Sequence, residues 1–314
     1  MKTNIFLAPM SGVTDLSFRL MCREFGAGHC FFEMLDANAL IYNHPGTQRL
    51  LATHRKDGPI AAQLLGRDPA VVLEAAERLQ SLAEISFLDI NCGCPAKKVI
   101  KKGAGAYLLK DIGTLCKILK KLTSSLPIPV TVKIRTGFDS RSVAESQNIA
   151  KKCEDCGVSK LFIHGRTRSQ GYAGDIDYEA IRAVKTVLKI PVFGSGNIFD
   201  PISAKRMFDE TGCDGILVAR GAMGNPWIFR NIDRYLKDGA LSPCPTLFEK
   251  KTILKKHLSL VQKYKKTRHA NKMGFMCKIA MWYLKGLPGA TRIRERICSI
   301  GTYAKLVGLI DDGT

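Results

Sequence analysis

Residues 130–164 read VTVKIRTGFDSRSVAESQNIAKKCEDCGVSKLFIH, and this stretch decides the fold. It begins with the short apolar run Val130–Ile134 and ends with a second one, Leu161–His164. Between them, Ser142–Cys153 has apolar residues at the three- and four-residue spacing of an amphipathic helix. A strand, a helix and a second strand in this order are typical of a βαβ unit of a parallel sheet.

The same unit recurs along most of the chain. Ala70–Leu82 and Thr114–Leu122 also have helical periodicity, and short apolar runs that end in Gly, Asn or Pro flank them. Eight such runs occur: Ile5–Ala8, Cys30–Met34, Ile60–Leu65, Phe87–Asn91, Val130–Ile134, Leu161–His164, Val192–Phe193 and Gly215–Ala219. Eight units predict an α/β fold, specifically a (β/α)8 TIM barrel. An open doubly wound sheet is the alternative, but its Gly-x-Gly-x-x-Gly turn is missing after the first run.

Composition excludes several classes of protein. The chain has 314 residues, of which 46% are hydrophobic and 24% charged, which is typical of a globular protein. No apolar run approaches the roughly 18 residues of a membrane-spanning helix. The amino-terminal stretch, Met1–Pro9, is a poor signal peptide. We therefore expect a cytoplasmic protein with no membrane partner.

The charge indicates a polyanionic partner. The chain contains 48 Lys and Arg against 28 Asp and Glu, a formal net charge of +20. This excess is larger than solubility requires and favours binding to a nucleic acid. Residues 241–314 begin with a linker-like segment, Leu241–Pro245, and hold 15 Lys and Arg against 4 Asp and Glu. We therefore predict a catalytic barrel in residues 1–240 and a small, basic, all-helical domain in residues 241–314.

The cysteines point to neither disulfides nor a structural metal. There are eleven, an odd number, and no secretory signal accompanies them. The one Cys-x-x-Cys pair, Cys153 and Cys156, has no second pair at ligand spacing, whereas structural zinc needs four ligands. We expect this pair to lie on a helix and no structural metal to be bound.

Polar residues gather at the ends of the predicted strands, where TIM-barrel enzymes place their chemistry. These residues are Pro9–Ser11, Glu33, Gln63, Asn91, Cys94, Lys133, Arg135, His164, Arg166, Gly194–Asn197 and Ala219-Arg220. The last two segments are glycine-rich turns after the seventh and eighth strands, where such barrels bind phosphate groups. A lysine at the position of Lys133 could stabilise an anionic ring such as a reduced flavin.

A loop cysteine is a candidate general acid. The fourth strand is followed by Cys92-Gly-Cys-Pro95 and then by the lysines 97, 98, 101 and 102. An ordinary thiol remains protonated at neutral pH and can donate a proton, while the lysines can hold the phosphates of a large polyanion nearby. From the residues alone, Cys92 and Cys94 are equally good candidates.

Several motifs together resemble the tRNA-dihydrouridine synthases, most closely the B-type branch. They are Ala8–Asp15 (APMSGVTD), Gln63–Gly66 (QLLG), Asp89–Pro95 (DINCGCP), Lys133–Gly137 (KIRTG), His164–Thr167 (HGRT), Gly224–Phe229 (GNPWIF) and Trp282–Gly289 (WYLKGLPG). The resemblance implies an oxidoreductase that binds FMN and uses NADPH or NADH to reduce specific uridines of tRNA. It further implies a hydride from the reduced flavin to C6 of the base and a proton to C5.

The resemblance also implies individual roles. Cys94 would be the proton donor, and Asn91, Arg135 and Arg166 would contact the substrate. Cys92 falls where the family varies. The residues expected to bind FMN are Pro9, Met10, Ser11, Gln63, Lys133, His164, Ser195, Gly196, Asn197, Ala219 and Arg220. Two turns depart from the family pattern: Gly194-Ser-Gly-Asn197 stands where Asn-Gly-Asp is common, and Ala219-Arg220 where Gly-Arg is common.

Two alternatives remain at this point. A small-molecule flavin barrel of the dihydropyrimidine or dihydroorotate dehydrogenase type shares the phosphate loops and the loop cysteine, but does not need the charge of +20. A non-catalytic tRNA-binding barrel needs the charge, but does not need Asn91, Cys94 and Lys133 together.

Overall fold

The computed structural model describes residues 4–286, 294–297 and 299–312. Its central feature is a parallel sheet with the strand order β1-β9-β8-β7-β6-β5-β4-β2, and β3 lies beside β4 off this path. The strands are β1 (Ile5–Leu7), β2 (Cys30–Phe31), β3 (Leu35–Asp36), β4 (Ile60–Leu65), β5 (Leu88–Asn91), β6 (Val130–Arg135), β7 (Lys160–His164), β8 (Val192–Ser195) and β9 (Gly215–Val218). A parallel bridge between Phe6 and His29 brings the two ends of the order together. The predicted TIM barrel is therefore confirmed.

Helices follow the strands and cover the outside of the barrel. They are α1 (Leu16–Glu24), α2 (Ala37–Ile41), α3 (Pro45–Leu50), α4 (Pro69–Leu82), α5 (Lys97–Ile100), α6 (Ile112–Ser125), α7 (Val143–Asp155), α8 (Tyr178–Val187), α9 (Pro201–Thr211) and α10 (Ile228–Asp238). Most begin at an Asp or Ser whose side chain accepts a hydrogen bond from the first turn, as Asp68 does for α4 and Ser142 for α7. Cys153 is buried in α7, so the prediction of a helix is confirmed for this residue, whereas Cys156 caps the end of α7 one residue beyond the helix.

Aromatic side chains fill the inside of the barrel below the site. Successive strand residues point to opposite faces, so every second residue points inward. Phe6 and Phe162 pack against Phe193 with ring centroids 4.8 and 5.1 Å away, and Phe31 and Phe87 complete the group. Phe87 precedes Asn91 by four residues, so this group forms the floor beneath the polar strand ends.

The carboxyl-terminal helices pack onto the barrel. They are α11 (Leu247–Tyr264), α12 (His269–Tyr283) and α13 (Tyr303–Asp312), and residues 294–297 are also helical. Their apolar residues share one buried cluster with Met21, Phe25 and Trp227 of the barrel. The predicted helical character of the tail is borne out over the described residues, whereas a domain boundary at residue 240 stays a prediction. Residues 287–289 of the Trp282–Gly289 motif lie outside the described residues.

A glycine permits the close approach of the two parts. A Cβ atom on Gly224 would lie 2.4 Å from the carbonyl carbon and oxygen of Trp282. Lys278 of α12 also donates a hydrogen bond to the Gly12 carbonyl in the loop after β1, at 3.0 Å. The tail therefore contacts the barrel at its carboxyl end. Within the described residues, no helix is both long and apolar enough to span a bilayer.

Candidate active site

A cavity of about 390 Å³ opens at the carboxyl ends of the barrel strands. Its lining includes all but one of the residues with a predicted catalytic, cofactor-binding or substrate-binding role: Pro9, Met10, Ser11, Gln63, Asn91, Cys94, Lys133, Arg135, His164, Ser195, Gly196, Asn197, Ala219 and Arg220. Residues that are far apart in sequence meet here because parallel strands end at the same edge. Arg166 lies outside this lining, as do the strand-end candidates Glu33 and Gly194. Glu33 is buried, and its carboxylate accepts a hydrogen bond from the Gly12 backbone N–H.

Strand register explains how the polar side chains come to one place. Gln63 of β4 pairs with Asp89 of β5, which pairs with Thr131 of β6. One interior position further along β5 and β6, Asn91 pairs with Lys133. Inward positions two residues apart therefore form two polar levels above the aromatic floor.

A continuous chain of hydrogen bonds runs from the lower polar level to Asn91 on the upper level and on to the turn after β5. Thr131 Oγ1 donates to Asp89 Oδ1 at 2.6 Å, and Gln63 Nε2 donates to Asp89 Oδ2 at 2.7 Å. Asn91 Nδ2 donates to Gln63 Oε1 at 2.7 Å. The Asn91 oxygen accepts from the backbone N–H groups of Gly93 at 3.1 Å and Cys94 at 2.9 Å. These bonds connect the barrel interior to the Gly-Cys-Pro turn.

Cys92 and Cys94 lie in different environments. The Cys92 side chain is fully buried in the apolar layer between strands and helices, and burial raises the pKa of its thiol well above the usual range. Cys94 is half-buried and lines the cavity. Only Cys94 can reach a molecule bound in the cavity, so burial separates the two cysteines that the sequence alone left equal.

Four cations surround His164 at the other side of the cavity. Burial is the main cause that lowers the pKa of His164 to about 2, and Lys133, Arg135, Arg166 and Arg220 add to the effect. His164 is therefore a neutral imidazole in the working pH range. Burial also lowers the pKa of Lys133, to about 8, and the charge of Arg135 contributes. The site concentrates positive charge and suits an anionic ligand.

The turns after β8 and β9 form the edge of the cavity near these cations. Asn197 has a positive φ of 49°, which bends the first turn sharply. The Ser195 hydroxyl donates to the Ile163 carbonyl at 3.1 Å, so this side chain braces β7 and β8. The Arg220 guanidinium lies 4.5 Å from the ring centre of Tyr172. Both turns depart from the family pattern, yet both line the cavity, and the second one brings the Arg220 guanidinium to its edge.

Arg166 connects the loop after β7 to the turn after β8, on the side of these loops that faces away from the cavity. Its side chain is almost fully buried, and its Nε donates to the Ala173 carbonyl at 2.9 Å. Its Nη1 donates to Asn197 Oδ1 at 3.1 Å, and its Nη2 donates to the Gly174 carbonyl at 2.5 Å. This geometry suits a residue that positions Asn197 and the loop after β7. The predicted contact of Arg166 with substrate stays a prediction that this placement does not support.

Two cavity-associated residues were not singled out by the sequence patterns. Asp89 was quoted within a motif but given no role, although it is fully buried beneath Gln63. Tyr172 is 60% exposed at the mouth of the cavity, where Arg135 and Arg220 both lie near its ring. An aromatic residue between Gly171 and Gly174, in the loop after a barrel strand, was the available signal.

No group of three or more potential metal ligands comes together within the described part of the chain. The candidate site is therefore built from cations, amides and a thiol.

Comparison with known proteins identifies the family. A family model described as Dihydrouridine synthase (Dus) matches residues 6–307. A relative from Pseudomonas aeruginosa, named tRNA-dihydrouridine synthase B, is 40% identical over 298 residues, covering 94% of this chain and 88% of the relative. A relative from Rickettsia conorii, named a probable tRNA-dihydrouridine synthase, is 38% identical over 300 residues, covering 95% of this chain and 89% of the relative.

Solved structures agree on the barrel. Histamine dehydrogenase from Rhizobium sp. 4-9 superposes with a TM-score of 0.56 at 11% identity, over 82% of this chain and 49% of that one. At this identity the likeness concerns the fold alone. The family match over almost the whole chain carries the assignment: this chain is an oxidoreductase that belongs to the dihydrouridine synthase family.

Proposed function

We propose that this protein reduces uridines of tRNA to 5,6-dihydrouridine, as a B-type enzyme with FMN in the cavity and NADPH or NADH as the reductant. The observation that carries the proposal is the joint placement of Asn91, Cys94 and Lys133 around one cavity at the carboxyl ends of the strands. The names of the relatives from Pseudomonas aeruginosa and Rickettsia conorii support it.

The cavity suits FMN in size and charge. Its volume of about 390 Å³ falls in the range of ligand pockets, and four cations lie around His164. The backbone of Pro9–Ser11, with Gln63 and Lys133, would hold the ring system beside neutral His164. The phosphate would lie at the turns of Ser195–Asn197 and Ala219-Arg220, where two loops and a guanidinium meet. When bound, the reduced flavin supplies the hydride that C6 of the base receives.

The protein's own residues would complete the reduction. The Cys94 thiol would donate its proton to C5 of the base, and the resulting thiolate would take up a proton from solvent through the open cavity. Asn91 Nδ2 donates one N–H to Gln63 Oε1 and directs the other to Met34 Sδ, a weak acceptor that lies 3.1 Å from the nitrogen. A carbonyl oxygen of uracil is a stronger acceptor and would take the place of that sulfur contact.

Basic residues around the cavity would hold the tRNA. The target base must leave its stack to enter the cavity. Exposed Lys97, Lys98 and Lys101 lie on or next to α5, directly after the Cys94 turn, and would contact phosphates there. Residues 241–314 would form the basic tRNA-binding domain next to barrel residues 1–240. A cytoplasmic location stays a prediction.

The test is a reaction with purified protein, NADPH and tRNA that lacks dihydrouridine. We expect dihydrouridine to form in the tRNA by mass spectrometry, and the heat-released cofactor to be FMN. A flavin protein that reduces free pyrimidine bases or oxidises free dihydroorotate, but does not act on tRNA, would support the small-molecule alternative. A protein that binds tRNA with no flavin after reconstitution would support the non-catalytic one.

A further inference from the structure

Asp89 does not line the cavity. The hydrogen-bond chain that ends at the Cys94 turn nevertheless begins at its carboxylate. Asp89 is fully buried on β5 and accepts from Thr131 and Gln63. Burial raises the pKa of Asp89 to about 6, while the two donors and the charges of Lys133 and Lys160 oppose that rise. The carboxyl group is therefore mainly ionised above neutral pH and can only accept hydrogen bonds.

The two ends of this chain have fixed polarity. An ionised carboxylate only accepts, and the backbone N–H groups of Gly93 and Cys94 only donate. Two side-chain amides, Gln63 and Asn91, stand between them, and each can turn in either of two ways. All contacts are satisfied only if Gln63 turns its NH2 to Asp89 and Asn91 turns its oxygen to the Gly-Cys-Pro turn. The structure has this arrangement.

We infer that Asp89 is a positioning residue that fixes, through Gln63 and Asn91, which way the Asn91 amide faces and where the Cys94 turn lies. Asn91 consequently presents an N–H rather than an oxygen to the cavity. That polarity selects a carbonyl oxygen and disfavours an amino group at the same place, as on cytosine. The consequence for the base rests on the proposed function, while the polarity of the chain does not.

A reversal of polarity tests this inference. In Asn91→Asp, the new carboxylate faces the Gln63 oxygen, and neither orientation of Gln63 satisfies carboxylates on both sides. In the double variant Asp89→Asn/Asn91→Asp, the new amide at position 89 donates to Gln63 Oε1, and Gln63 Nε2 donates to the new carboxylate at position 91. That carboxylate still accepts from the Gly-Cys-Pro turn. Every contact between side-chain amides and carboxylates is restored with its direction reversed.

The readouts are the thermal midpoint and the alkylation rate of Cys94 at pH 8, followed by mass spectrometry, with exposed Cys244 as the internal reference. We expect Asn91→Asp to lower the midpoint and to speed Cys94 alkylation about tenfold, because the carboxylate repelled by the Gln63 oxygen no longer holds the turn in place. The reversed double variant should recover most of the thermal midpoint and should slow Cys94 alkylation back towards the wild-type rate. The control Asn91→Asp/Asp238→Asn has the same net charge as the reversed double variant but alters an exposed carboxyl instead of Asp89. It should recover neither the thermal midpoint nor the slow alkylation.

The same variants separate this inference from the proposed function. Oxidation of the reduced flavin by tRNA should stay slow in the reversed variant, because a carboxylate at position 91 offers the uracil carbonyl no donor. If the wild-type protein does not reduce tRNA, the proposed function fails, but the midpoint and alkylation comparison still decides the role of Asp89. A reversed variant no better than Asn91→Asp, or no better than the Asp238 control, overturns the inference.

Discussion

Gly221 lies so close to Ile198 that a Cβ atom on the glycine would be 2.1 Å from the Ile198 carbonyl oxygen. This contact joins the turn after β9 to the turn after β8, the two loops that we propose bind the phosphate. The oxygen belongs to the backbone and cannot move aside as a side chain can. The edge of the cavity therefore depends on a glycine at position 221.

Gly221→Ala tests this contact. Forcing a methyl group between the turns should cost about 1–3 kcal/mol of folding free energy and spread the two loops. We expect a lower thermal midpoint and a reduced flavin content after purification. Gly274→Ala is the matched control, because Gly274 lies in α12, where an added Cβ would meet no atom within 4 Å, and it should keep the flavin. Full flavin content in Gly221→Ala would argue against a phosphate at these turns.

Lys133 should make the flavin-free protein less stable near neutral pH. Burial lowers the pKa of Lys133 to about 8, against about 10.4 in an unfolded chain. Between these values the unfolded chain binds more protons, so the contribution of Lys133 to the free energy of unfolding rises with pH. Lys133→Met should therefore stabilise the flavin-free protein most below pH 8, and this advantage should shrink as the pH approaches 10.

Denaturant titrations at several pH values measure this effect. Lys120→Met is the control, since Lys120 is exposed on α6, and its difference from wild type should not change with pH. The Lys133 variant should also lose flavin, because it removes the cation that we propose binds the flavin ring. A stability difference for Lys133→Met that is the same at pH 7 and pH 10 would show that Lys133 is not desolvated.

The basic tail should set the salt dependence of tRNA binding. Removing residues 241–314 is a poor test, because it would expose Met21, Phe25 and Trp227 of the barrel. Charge removal at exposed positions 266, 268 and 285 avoids this problem. Each lost phosphate contact lowers the slope of log K against log salt by about 0.9 for duplex nucleic acid. The triple variant Lys266→Gln/Arg268→Gln/Lys285→Gln should therefore lower it by up to about 2.7.

Fluorescence titration with tRNA at several salt concentrations measures the slope. The control triple variant changes the exposed Lys120, Lys121 and Lys189, which lie on α6 and in the loop before β8, away from the carboxyl end of the strands. Its slope should match that of the wild type. Equal slopes for both triple variants would exclude this part of the tail from the tRNA interface.

The sequence predicted the barrel well because each βαβ unit repeats a strong local pattern. All eight apolar runs correspond to strands, although the run Cys30–Met34 forms only the short β2 and the two-residue β3 follows it. Leu35–Asp36 is too short to show alternation, so periodicity could not detect it. Its pairing with β4 becomes visible only once the barrel is assembled.

The site was predicted less completely, for geometric reasons. Strict alternation after Asn91 would place Cys92 and Cys94 on the same face, but the turn at Gly93 sends Cys94 into the cavity. Arg135 is the last residue of β6 and Arg166 lies two residues after β7, yet the Arg166 guanidinium turns behind the loops. Asp89 carries no pattern of its own, because its importance lies in contacts with other strands. Side-chain direction after a strand ends cannot be read from spacing.

The central claim is that Cys94 donates the C5 proton. Cys94→Ala leaves the cations, Gln63 and the phosphate turns in place, so NADPH should bleach the flavin at a near-normal rate. Oxidation of the reduced flavin by tRNA should then slow by about 10²–10⁴-fold, the usual contribution of a positioned acid. Cys92→Ala, the buried matched control, should cost some stability but leave this step within a fewfold of wild type.

Stopped-flow absorbance of the flavin, with the reduced protein mixed against tRNA that lacks dihydrouridine, is the most direct test. The account predicts fast oxidation in the wild type and in Cys92→Ala, with matching dihydrouridine in the tRNA, and slow oxidation in Cys94→Ala. Oxidation of Cys94→Ala at the wild-type rate, or a loss confined to Cys92→Ala, would contradict it.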